Sequence, residues 1–390
     1  MRPATLRRPP RPEDITLSYD YASAAEKVAA VAAEHAARVD QESVFPRATM
    51  DAARDAGLLA LLSSKEVGGH GLGMRAAGLV VERLARECGS SAMVLTMHYA
   101  GTAVIEAHGP IEAHRDIVAG RHLSTLAFSE SGSRSHFWAP TSNARADGDE
   151  VVLDARKSWI TSANAATAYV WSSRPLQGGE ASTLWLVPSK RPGLRVTANY
   201  EGMGLRGNDS APVSAEGLRI PAKNRLGGDG AGFGIMMQTV LPIFSVLISA
   251  GSIGLMEAAV QKTAEHAGGV RYAHLPGSSA LADLPTIRSY IARMRIDCDM
   301  ARTLWSDTVT ALEQGREDAM LRVLEVKAAC AEAALRVVDS AMRVCGGMAY
   351  RKEVGVERRF RDARAAMVMA PTSDQLFDFI GKAVCGLPLF

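Results

Sequence analysis

Three short stretches carry the side chains on which chemistry could rest. LAFSESGSRSHF (126–137) gathers small hydroxyl residues around Gly132 in loop-forming sequence. Backbone N–H groups and hydroxyls in such a loop suit a phosphate or an aromatic ring edge, and a plain surface loop shares the composition. KSWITSAN (157–164) puts Trp159 beside hydroxyl residues, where an isolated Trp ordinarily serves core or interface. Together the two stretches suggest one pocket wall able to stack on a flat cofactor. The third, FRDARAAMVMAPTSDQL (360–376), passes from charged into apolar, helix-like residues and is interrupted at Ala370-Pro371-Thr372-Ser373-Asp374.

Other patterns exclude chemistry. GGDGAGFG (227–234) spaces its glycines at 228, 230, 232 and 234, without the surroundings of a dinucleotide fingerprint and without a following Lys-Ser or Lys-Thr, so it reads as a flexible domain junction. The nine histidines show no H-E-x-x-H and no zinc spacing, so no metal site is expected. No G-x-S-x-G elbow occurs. A formal net charge of +2 on 390 residues, 22% of them charged, argues against a nucleic-acid partner. Five scattered cysteines without a C-x-x-C pair read as thiols in a reducing compartment. No uninterrupted apolar run of membrane-spanning length and no signal-peptide core are seen, and the expected setting is cytoplasmic.

Those stretches need elements to position them. Residues 1–19, rich in Arg and Pro, read as a flexible N-terminus. Residues 20–123 form a helical domain: YASAAEKVAAVAAEHAARVD keeps an apolar face at helical spacing, and Gly57 marks a stop or kink. Residues 124–229 turn to period-2 and β-branched segments separated by turn residues, a β domain. Residues 230–390 return to four long amphipathic segments, a helical bundle, with Pro242 near the start of the first.

Six motifs in order resemble the acyl-CoA dehydrogenase family of flavoproteins. Phe45-Pro46 with DAGLLAL and KEVGGHGLG, then LAFSESGSRS, ARKSWITSAN, the stretch GMGLRGNDSAPVSAEGLRIPAKNRLGGDGAGF, VCGGMAY and RRFRDARAAM match its patterns from about residue 20 to the end. The resemblance implies an N-terminal helical domain, a middle β-barrel domain and a C-terminal four-helix bundle, assembled as a dimer or, more usually for the family, a homotetramer. It implies FAD between β domain and bundle. Phe128 and Ser129 would contact the flavin ring, Trp159 would shield one edge, Thr161 would bond near N5, and Ser135 would lie near the ligand. Thr372 matches a flavin-contacting threonine. Gly346 and Gly347 would approach the adenosine side, Arg343 stands where a glutamine often reaches a neighbour's FAD, and Arg271 keeps part of an arginine's role after the first bundle helix. Arg206 and Asp362 match structural positions.

In that family a carboxylate removes the α-proton of an acyl thioester as hydride leaves the β-carbon, with the acyl group on CoA or a carrier protein. Here the usual base position is Ala370, and the alternative position in the first bundle helix is Phe244. The nearest acid in the stretch is Asp374, a candidate relocated base if the helix resumes. Three functions follow as expectations: dehydrogenation of an acyl thioester with an unusual or relocated base, passing electrons to an electron-transfer flavoprotein or oxygen; a flavin-dependent monooxygenase or desulfinase needing no α-proton base; or a non-catalytic partner subunit.

Overall fold

The computed structural model describes residues 19–133, 136–178, 181–273 and 279–389. Asp20 begins the first helix, its carboxylate accepting the Ser23 N–H at 3.0 Å. This helix, α1 (Tyr21–Gln41), buries Ala24, Val28, Ala32 and Ala36 on one stripe. It is followed by α2 (Arg47–Asp55), α3 (Met74–Glu87), α4 (Gly89–His108) and α5 (Ile111–Val118). Gly57, with φ +78°, supplies the left-handed residue that stops the chain after α2.

The β domain contains β1 (Ser124–Ala127), β2 (Asn143–Asp147), β3 (Glu150–Ile160), β4 (Ala168–Ser173), β5 (Thr183–Pro188), β6 (Leu194–Val196), β7 (Ala211–Pro221) and β8 (Arg225–Leu226). They form two four-stranded sheets, ordered β1-β4-β5-β8 and β2-β3-β7-β6. Val151, Ile160, Val213, Trp171 and Trp185, drawn from both sheets, share one core. The β3–β7 ladder shifts register between Lys157 and Ile160, and Trp159 in that irregularity has φ +57°. A bulky residue there is a strained exception, sustained by its surroundings.

The glycine-rich segment 227–234 is not the flexible junction its composition suggested. Asp229 accepts from Leu176 N, Gln177 N and Thr183 Oγ1 at 2.7–3.2 Å, which pins the segment to the β domain. From it run α6 (Gly232–Ile235), one π-helical turn (Met236–Val240) and α7 (Leu241–Gly269). This continuous stretch is apolar and long enough to cross a membrane, longer than the sequence reading allowed because Ser, Thr and Gly interrupt it without charge. Its apolar window is 94% buried inside the protein, which makes it a core helix. Gly254 lets α3 pass close, since a Cβ there would collide with the Glu82 carbonyl. The bundle continues with α8 (Pro285–Gln314), α9 (Ala319–Cys345), α10 (Val356–Val368) and α11 (Ser373–Val384).

Charged contacts join the three parts. Arg361 on α10 makes two bonds to Asp40 of α1, at 2.6 and 2.8 Å, donates to the Met203 carbonyl at 2.9 Å, and pairs with Glu357 at 2.6 Å. Next to it, the buried carboxyl of Asp362 accepts the Leu205 N–H at 2.6 Å. Burial pushes Asp362 up to about 6 despite that bond.

Candidate active site

The two hydroxyl-rich stretches meet. Ser158 N–H donates to the Ser129 carbonyl at 2.9 Å, and Glu130 and Lys157 face each other as a β-bridge. The Lys157 ammonium lies 2.6 Å from the Glu130 carboxylate and also reaches the Ser172 carbonyl (2.7 Å) and hydroxyl (2.9 Å). Glu130 in turn accepts from the Ser142 hydroxyl at 2.6 Å, from Thr141 N at 2.8 Å and Ser142 N at 3.0 Å, and from the Thr141 hydroxyl. Both side chains are almost wholly buried. Burial lowers Lys157 to about 8 against the opposing pull of Glu130. For Glu130 burial acts upward, and the Lys157 charge with the surrounding donors brings it below its ordinary value. The pair fixes the loop to β3 and so shapes the wall.

That wall borders a cavity of about 570 Å³, a size suited to a cofactor or small ligand. Phe128, Ser129, Ser158, Trp159 and Thr161 line it from the β domain. Trp159 is 62% exposed and stacks on Tyr200, ring centres 4.0 Å apart. Opposite stand Val240, Leu241 and Phe244 of the first bundle segment, and Val368 to Thr372 between α10 and α11. Met93 and Met97 of α4 close the apolar end.

Ala370 and Phe244, the two positions at which the resemblance would place a base, both line the cavity, and both are apolar. Asp374 is not brought to it. Thr372 caps α11, its hydroxyl accepting from Gln375 N at 3.3 Å, and Asp374 lies exposed in the first helical turn beyond. Glu130 is the one carboxylate among the described lining residues, and its oxygens are already occupied by Lys157, Thr141 and Ser142. Arg206 also lines the cavity, and its Nε is held by the Asp40 carbonyl (2.9 Å) and the Ser43 hydroxyl (3.1 Å).

Ser135 falls outside the described residues. Arg271, Arg343, Gly346 and Gly347 do not line the cavity of one chain. Arg343 is exposed and lies over Tyr290 at 5.6 Å, while a Cβ on Gly346 or Gly347 would meet no neighbour within 4 Å.

The family models for the N-terminal, middle and C-terminal domains of acyl-CoA dehydrogenase match residues 21–120, 125–218 and 230–385. Human mitochondrial short-chain specific acyl-CoA dehydrogenase is 31% identical over 350 residues, covering 87% of this chain and 82% of that one. The chain belongs to the acyl-CoA dehydrogenase family. A Geobacter metallireducens cyclohex-1-ene-1-carbonyl-CoA dehydrogenase is 28% identical, covering 90% of this chain and 93% of its own. Butyryl-CoA dehydrogenase of Megasphaera elsdenii shares the fold, with a TM-score of 0.87 at 21% identity, over 95% of this chain and 98% of that one. The three-part fold implied by the motifs is thus borne out, and the chain is an acyl-CoA dehydrogenase-like oxidoreductase of a family that uses FAD.

Sequence reading missed the Glu130–Lys157 pair, Tyr200 and Lys327. The ammonium of Lys327, on α9, donates to the carbonyls of Ala366 (3.1 Å), Met369 (3.0 Å) and Pro371 (2.7 Å), behind the wall that carries Ala370. Glu130 and Lys157 lie inside the two recognised motifs and were findable as an acid and a base in facing segments. Lys327 has no local signal, since its acceptors lie 39 to 44 residues further on.

Proposed function

We propose that the protein is an FAD-dependent enzyme that removes hydrogen across the α,β bond of an acyl thioester, without a carboxylate base at either of the family's two bundle positions. The observation that carries this reading is the cavity itself: an aromatic and hydroxyl wall on the β side and an apolar wall at both base positions. The wall fits a flavin ring. Trp159 offers an aromatic face, Ser129, Ser158 and Thr161 offer hydroxyls, and the one carboxylate among the described lining residues is neutralised by Lys157. Phe128, Ser129, Trp159, Thr161 and Thr372 would hold the ring. When bound, FAD supplies the two-electron acceptor, and the protein supplies binding and orientation.

The apolar end formed by Met93, Met97 and Phe244 suits an acyl chain and excludes water around it. Ala370 takes no proton and the one carboxylate among the described lining residues is paired with Lys157, so this reading requires another proton acceptor: Asp374 from outside the described lining, a group on the substrate, or a second copy. The acyl group rides on CoA or a carrier protein, electrons pass to an electron-transfer flavoprotein or to oxygen, and the chain works as a homo-oligomer, a dimer or tetramer, in the cytoplasm. The outward-facing Gly346-Gly347 and Arg343 support the assembly. Four buried cysteines and the exposed Cys385, all free thiols, support the compartment.

A second reading is favoured by the same absence of an uncommitted carboxylate among the described lining residues: flavin monooxygenation or desulfination, which needs no α-proton base. An anaerobic panel of acyl-CoA and acyl-carrier thioesters, followed by flavin absorbance, separates the two. Bleaching by a thioester alone supports dehydrogenation. Bleaching only with an external reductase, followed by an oxygen-dependent transient, supports the second reading. A purified protein that takes up no FAD refutes both.

A further inference from the structure

Lys327 is about 1% exposed, and its three bonds go to backbone carbonyls. An ammonium has three N–H donors, so each is used once. Burying a lysine without a carboxylate is costly, and here burial lowers its pKa to about 7. The acceptors compensate in part: the Ala366 and Met369 carbonyls sit at the C-terminal end of α10, where the helix dipole is negative and carbonyls lack helical partners, and Pro371 adds a third from the turn before α11. Two of them, Met369 and Pro371, flank Ala370. A methyl side chain gives residue 370 little packing of its own with which to hold the turn, and Ala370, Pro371 and Thr372 all line the cavity.

We propose that Lys327 is the positioning residue of the bundle-side wall: its ammonium fixes the carbonyls on either side of Ala370 and so sets where Ala370 and Thr372 stand against the bound ligand. Lys327 touches no ligand itself and acts through the turn. The consequence for ligand binding rests on the function proposed above, whereas the consequence for the turn does not.

The test uses the full-length FAD-loaded protein with Lys327→Met and Lys327→Arg. Val337→Ala, which removes packing from the same helix in a separate core, controls for general loss of bundle stability. Amide hydrogen exchange reads residues 366–376, and flavin absorbance reads binding of crotonyl-CoA. Lys327→Met is expected to speed exchange in that segment about ten-fold and to weaken crotonyl-CoA binding about ten-fold, the size of one or two lost hydrogen bonds. Lys327→Arg, which keeps the charge and donors, recovers part of both. Val337→Ala leaves both within about two-fold. Should Lys327→Met not fold, Lys327→Gln, with two N–H donors and no charge, is read in its place. Exchange unchanged in the lysine variants, or raised equally by Val337→Ala, overturns the proposal. If the wild type binds neither FAD nor crotonyl-CoA, the function proposed above fails, and the exchange of residues 366–376 in the protein as isolated still decides the role of Lys327.

Discussion

Lys157 and Lys327 are equally buried, stand behind opposite walls of one cavity, and are held differently. Lys157 lies 2.6 Å from a carboxylate that itself accepts from two hydroxyls and two backbone amides. Lys327 rests on three carbonyls. The β-side wall thus carries a complete ion pair with its charges matched. The bundle-side wall carries a cation matched only by dipoles, behind Ala370, the position at which the motif resemblance implies the family's carboxylate. The contrast shows two ways in which a buried lysine fixes a wall of this cavity. The one carboxylate among its described lining residues is held in an ion pair, and the turn that carries Ala370 is held from behind by an ammonium.

The comparison can be broken most forcefully at Glu130. Glu130→Ala leaves Lys157 buried without its carboxylate and should cost about 3–5 kcal/mol in urea or thermal unfolding. A loss no larger than that of Lys327→Met would mean that the ion pair is no stronger a device than the carbonyl cage. Next in size is Ala370→Glu, which returns a carboxylate to the bundle-side wall. If dehydrogenation is the reaction, anaerobic flavin reduction by a short acyl-CoA should accelerate about 100-fold or more, the usual contribution of a general base. An unchanged rate would show that proton removal does not limit the reaction.

A smaller effect is expected from pH. Burial lowers folded Lys327 from 10.5 to about 7, so the unfolded chain binds more protons between those values. The stability of the wild type relative to Lys327→Met should therefore rise as pH goes from about 7 toward 10, by at most about 1.4 kcal/mol per pH unit, and stay level below 7. Chemical denaturation at several pH values checks the slope, and a flat difference would mean that the three carbonyls fully offset burial. The smallest change belongs to Asp374→Asn. This exposed residue in the first turn of α11 should contribute about 0.3–1 kcal/mol through the helix dipole, and flavin reduction should stay within two-fold. A large loss of flavin reduction would restore Asp374 as a base acting from outside the cavity of one chain.

The order of domains was legible because each rests on a local period: the alanine stripe of α1, the alternation in β3 and β7, the apolar run of α7. The interruption at Ala370-Pro371 was legible too, as was its address on the cavity. What holds the turn was not, because Lys327 reads as an ordinary helical lysine until α9 is packed against α10. Asp374 looked like a neighbour of Ala370 by helical spacing, but Thr372 starts a new helix between them and turns the acid outward. The glycine-rich junction looked loose by composition, and one aspartate, Asp229, makes it firm. Long-range hydrogen bonds decided the cases of Lys327 and Asp229, and a sequence lists their members without pairing them, whereas Asp374 was decided locally by the cap at Thr372.

Arg361 touches all three parts of the chain within one guanidinium. Such a residue works like the spine of a book. Arg206 and Asp362, which also cross between parts, lie beside it in the sequence or on the same loop. The helical domain, the β domain and the bundle thus share one charged junction, so that losing Arg361 would loosen two boundaries of the bundle at once, the one with Asp40 and the one with Met203.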